Sequence, residues 1–235
     1  MASNDIADDQ TPMTGPLVKI CGVNNRETAL VAARAGADFL GFVFFRKSPR
    51  FVTPEVAEEI IVDLKQASFD EGFALPRLVG LFVDAGEKEL SEAPTLLTHF
   101  QFHGHEGPDR CREISAEFAV DVIKALPVTN ADDVAQAAAY DGAADIILFD
   151  AKPPPSAGRP GGNGVSFDGA LLSAYSGETP FLIAGGLTPE NVAAAVKAQK
   201  NATAFLGVDV SSGVESAPGK KDPALVKAFV GAAKA

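Results

Sequence analysis

Cys21 and Asp150 each end a short apolar run, the thiol after Val18-Lys19-Ile20 and the carboxyl after Ile146-Ile147-Leu148-Phe149. Thiol and carboxyl are proton-transfer groups, and together they could act as base and acid. Plainer readings stand beside this one. A free cysteine is often a small buried filler, and an aspartate after a strand can cap a helix or face solvent. Two further runs turn at glycine near the C-terminal end: Phe181-Leu182-Ile183-Ala184-Gly185-Gly186 and Gly207-Val208-Asp209-Val210-Ser211-Ser212-Gly213. Backbone that turns at glycine ahead of a helix presents bare N–H groups to an anion. The anion-contacting set read here is Gly185, Gly186, Asp209, Ser211, Ser212 and Gly213. Its expected ligand is a phosphorylated small molecule.

Other polar groups stand at similar places. Lys19 shares strand parity with Cys21, so both face the same side. An inward lysine needs a partner, and Asp209 is the expected one. Arg46, Lys47 and Arg50 form the densest basic cluster, either a solvated run or an anion clamp in which arginine's planar fork suits a carboxylate. After Asp150 a loop rich in proline and glycine runs over 151–164. It reads as a linker, or as a lid and third anion-contacting turn through Gly162 and Gly164, since long loops inside compact domains are usually functional. Gln101 and His103 share parity and are expected to contact ligand. His103-Gly104-His105 invites a metal reading, but no other strand end supplies a histidine, so no metal site is expected.

These residues require elements that bring them together. Strands are read over 17–20, 39–44, 78–83, 100–102, 120–124, 146–149, 181–184 and 204–210, with helices between them. Thr53-Pro54 and Thr188-Pro189 mark helix starts, and Cys111 is read as helix packing. Alternation of this kind gives a parallel sheet with helices outside. Eight strands in 235 residues, without a G-x-G-x-x-G after the first, point to a single (β/α)8 TIM barrel over 16–235. Function then sits at the C-terminal ends of the strands. Residues 1–15 read as a disordered acidic tail. A net charge of −11 argues against nucleic-acid partners. No apolar run approaches a membrane span. The scattered cysteines and the lack of a signal peptide point to the cytoplasm. Monomer and homodimer both remain open.

Five motifs occur in order: Lys19-Ile20-Cys21-Gly22, Gln101-Phe102-His103-Gly104, Phe149-Asp150, Gly185-Gly186-Leu187 and Asp209-Val210-Ser211-Ser212-Gly213-Val214-Glu215. Together they resemble the phosphoribosylanthranilate isomerase family of tryptophan biosynthesis, from about Val18 to Val230. The resemblance implies a cofactor-free (β/α)8 barrel that performs an Amadori rearrangement on N-(5′-phosphoribosyl)anthranilate. It implies Cys21 as general base, Asp150 as general acid, Arg50 near the anthranilate carboxylate, and phosphate on the late glycine turns. The chain departs from the pattern at Phe102, in the longer loop after Asp150, and at Gly169, where an aromatic is frequent.

That chemistry sets a condition on the site. At neutral pH an ordinary aspartate, near 3.9, is almost wholly ionised, and an ordinary thiol, near 8.5, is mostly protonated. Both are mostly in the wrong state, so a cation acting on the thiol is expected, with Lys19 the candidate. Another phosphosugar isomerase or epimerase barrel is the nearest rival, and a non-catalytic phosphometabolite-binding barrel the next.

Overall fold

The structure is a computed structural model that describes residues 15–151 and 169–235. The expected tail falls almost wholly on residues outside this set, and Gly162 and Gly164 also lie outside it. Eight parallel strands close into a barrel: β1 (Leu17–Cys21), β2 (Phe39–Val43), β3 (Arg77–Phe82), β4 (His99–Phe102), β5 (Asp121–Val128), β6 (Ile146–Ala151), β7 (Phe181–Ala184) and β8 (Phe205–Val210). Closure is made by β1 on β8, in a register that sets Lys19 beside Asp209.

Helices follow the strands in turn: α1 (Arg26–Arg34), α2 (Pro54–Glu71), α3 (Glu87–Ser91), α4 (Pro108–Phe118), α5 (Ala131–Ala135), α6 (Gly169–Leu172), α7 (Val192–Ala198) and α8 (Pro223–Lys234). Thr53 caps α2 and Pro54 fills its first turn, as expected. Thr188 does not cap α7. Its amide instead donates to the Asn191 side chain, and the helix starts three residues later than Pro189 suggests. α5 runs on into a 3-10 turn over Gln136–Tyr140. Cys111 is fully buried on α4.

Alternation along each strand divides two cores. Leu17, Phe39, Val79, Ile123, Leu148 and Leu182 fill the barrel interior below the site. Outward residues such as Val18, Ile20, Leu40, Phe42 and Val208 meet the helices in the larger outer core. Phe102 belongs to this outer core and packs near Phe82 and Phe100, which suits a packing role. After β8 the chain forms a small hairpin, β9 (Glu215–Ala217) paired with β10 (Lys220–Lys221). Among the described residues, no helix is long and apolar enough to cross a membrane.

Candidate active site

The C-terminal mouth of the barrel holds a cavity of about 330 Å³, large enough for a small phosphorylated ligand. Cys21 and Asp150 both line it, with Arg50, Gln101 and His103. Gly185 and Gly186 supply one edge, in left-handed conformations at φ 90° and 64°. Ser211, Ser212 and Gly213 supply the adjacent edge. A Cβ on Gly213 would run into the carbonyl oxygen of Leu187, so the two late turns touch through backbone and form one rim.

A family model described as N-(5'phosphoribosyl)anthranilate (PRA) isomerase matches residues 18–232. The chain belongs to the PRA isomerase family. A relative from Rhodospirillum rubrum, named N-(5'-phosphoribosyl)anthranilate isomerase, is 47% identical over 94% of this chain and 99% of its own length. The solved phosphoribosyl anthranilate isomerase of Thermotoga maritima is 38% identical, with a TM-score of 0.76 over 93% of this chain and 98% of that one. A PRA isomerase in complex with reduced 1-(o-carboxyphenylamino)-1-deoxyribulose 5-phosphate is 36% identical, with a TM-score of 0.74 over the same shares.

Lys19 is fully buried, and its Nζ donates to Asp209 Oδ1 at 2.8 Å. Asp209 also lines the cavity, with its Oδ1 committed to this buried ammonium. Burial opposes the charge on Lys19, but Asp209 and the thiol outweigh it and hold the ammonium above its ordinary pKa. Cys21 lies across from Gly41, where a Cβ would stand 3.1 Å from Sγ and 3.3 Å from the Lys19 Nζ. That strand glycine makes room for thiol and ammonium to meet, a signal the sequence carried unread.

The expectation that Lys19 would lower the thiol pKa is met only in direction. Burial pushes Cys21 up, Lys19 and Lys221 pull it down, Asp209 pushes it up again, and the balance lies above the ordinary thiol value. Each unit is worth about 1.4 kcal/mol of differential interaction between the thiol and its thiolate.

Asp150 and His103 are both partly exposed at the mouth, with His103 Nε2 3.4 Å from Asp150 Oδ2. The sequence did not pair them. The histidines are dispersed: His99 lies buried at the start of β4 near Asp121, and His105 pairs with Asp84 outside the cavity. Gln101 is 1% exposed, and its Oε1 has no hydrogen-bond partner among the described residues. Arg50 forks onto Glu215, Nε to Oε1 at 2.7 Å and Nη2 to Oε2 at 2.8 Å. Glu215 and Lys221 had no role in the sequence reading. Pro218-Gly219 between them is a turn signal that marks the hairpin and brings Lys221 back to the rim.

Proposed function

We propose that this chain converts N-(5-phospho-β-D-ribosyl)anthranilate to 1-(2-carboxyphenylamino)-1-deoxy-D-ribulose 5-phosphate in tryptophan biosynthesis, with Asp150 as general acid and Cys21 as general base. The observation carrying this reading is that thiol and carboxyl share one cavity with a double glycine rim, in a chain of this family. Asp150 gives a proton to the ring oxygen as the C1′–O bond breaks and a Schiff base forms. Cys21 then takes the proton from C2′, and the electron pair moves to give the enol amine, which becomes the ketone. His103 is placed to exchange a proton with Asp150.

The late turns, through Gly185, Gly186, Ser212 and Gly213, receive the phosphate, with Gly162 and Gly164 as further candidates. Arg50 uses one edge of its fork on Glu215 and keeps other N–H groups for the substrate carboxylate. The unpartnered Oε1 of Gln101 suits a donor from the ligand, since a buried acceptor left unpaired costs about 1–3 kcal/mol. A thiol base works where thiols stay reduced, which supports a cytoplasmic setting.

Mixing purified protein with freshly made phosphoribosylanthranilate tests the reading through loss of the substrate's anthranilate fluorescence. Cys21→Ala and Asp150→Ala should each lower kcat by at least ~100-fold with KM little changed. Near-normal turnover by either variant rejects the role given to that residue.

A further inference from the structure

The charges around Cys21 do not balance where the sequence places them. Lys19 and Asp209 form a closed pair with no net charge. Across the mouth, two cations, Arg50 and Lys221, share one carboxylate, Glu215, which leaves a surplus of positive charge. Lys221 is fully buried in its side chain, and all three of its protons are committed. It donates to the Ser211 carbonyl at 2.9 Å, to Ser211 Oγ at 3.3 Å and to Glu215 Oε1 at 2.8 Å. Ser211 Oγ in turn donates to the Cys21 carbonyl at 3.1 Å.

We propose that Lys221 is a positioning residue for the isomerase reaction: it fixes the end of β1 through Ser211 and supplies the unbalanced charge that favours the Cys21 thiolate. Glu215 belongs to the same device. It divides itself between Lys221 and Arg50, so the hairpin that orients the carboxylate-binding fork also sets the charge beside the base. The hairpin is held in turn by Asn24, whose Nδ2 donates to the Gly219 carbonyl at 3.0 Å. The loops after β1, β2 and β8 therefore meet on one ion cluster. The ammonium pulls the thiol down, while burial lowers the pKa of Lys221 itself and Glu215 and the thiol offset only part of that. Groups acting on the thiol are Lys19 from its own strand, Asp209 from β8 and Lys221 from β10. Arg50 and Glu215 complete the charged set, with His103 and Asp150 also at the cavity.

This proposal rests on Cys21 being the base, and its test separates the two ideas. Iodoacetamide alkylation of Cys21 in the full chain is followed against pH, with the modified peptide identified by mass. Lys221→Met should raise the alkylation midpoint by about one unit and lower kcat about tenfold, with KM nearly unchanged. Glu215→Gln should move the midpoint the other way, and should raise KM because Arg50 loses its anchor. A purely structural lysine and glutamate would not move the thiol in opposite directions. An unshifted midpoint in folded Lys221→Met, or two shifts of the same sign, overturns the proposal. If circular dichroism shows that Lys221→Met does not fold, the Glu215→Gln midpoint decides alone, and an unmoved or raised value overturns it. Failure of the base assignment reads differently, as retained turnover in Cys21→Ala.

Discussion

Asp209 decides how much of the Lys19 charge reaches the thiol. The pair is buried at 2.8 Å and formally neutral, so Lys19 offsets only part of the burial of Cys21. Removing Lys19 alone strands a buried carboxylate beside the thiol. Lys19→Met should therefore raise the thiol midpoint and cost about 3–5 kcal/mol in urea unfolding, as broken buried pairs do. Lys19→Met with Asp209→Leu should recover most of the stability, because the two charges are removed together, and part of the midpoint shift, because Lys19 acts on the thiol more strongly than Asp209 does. Failure of the double variant to recover any of the midpoint shift would mean that Lys19 acts as an unshared cation. The pH dependence follows from the same balance. The base form is the thiolate, which gains population as pH rises, and burial holds the thiol above its ordinary value. The rising limb of kcat/KM, which reports the free enzyme, should lie above about pH 8.5. A rising limb centred near neutrality would contradict it.

At the scale of elements, the loops bearing the site are tied from behind. Lys124 on β5 is buried on the helix side of the sheet, and its Nζ reaches Glu106 Oε2 and the Gly104 carbonyl, each at 2.8 Å. Glu106 also accepts the amides of Asp84 and Gly104, so one carboxylate holds the loops after β3 and β4 and steadies His103. Glu106→Ala strands Lys124 and should cost about 3–5 kcal/mol. Hydrogen exchange should quicken at Asp84 and Gly104 more than at strand amides such as Leu182. Equal quickening everywhere would show that the pair supports the barrel as a whole. Little of this tie was legible in the sequence, because Glu106 and Lys124 meet only after folding. The eight strands were legible because each is a β-rich apolar run bounded by turn residues. Their ends were less so. β5 runs past Lys124 to Val128, although Pro127 argues against a strand. The proline is tolerated because the pairing with β4 stops at Phe102 and Lys124, leaving that edge free of a required N–H. Cys21, Asp150 and the glycine rim were legible from strand ends alone. The His103–Asp150 contact and the Lys221 cluster were not, since both depend on how loops fold back over the mouth.

The whole molecule is a ring, and a ring is only as firm as its seam. β1 and β8 pair at the seam, and the first and last helices seal it from outside, α8 packing on α1, α7 and β1. Asp38 adds a tie, accepting the Val18 amide at 2.7 Å while pairing with Lys234 at the end of α8. The site spans this seam, because Cys21 and Lys19 come from β1, whereas Asp209 and the Ser211 turn come from β8 and its loop. Loss of packing under α8 should therefore reach the chemistry as well as the fold. Phe229 is fully buried there, beside Val226 and Val230. Phe229→Ala should cost about 3–5 kcal/mol in urea unfolding, from lost burial and the cavity left behind. Under conditions where the variant remains folded, kcat should still fall and Cys21 alkylation should quicken, because the seam opens more often. A variant destabilised to that extent but with unchanged kcat and alkylation would show that the seam is held by the strand ladder alone, with α8 contributing stability and nothing to the site.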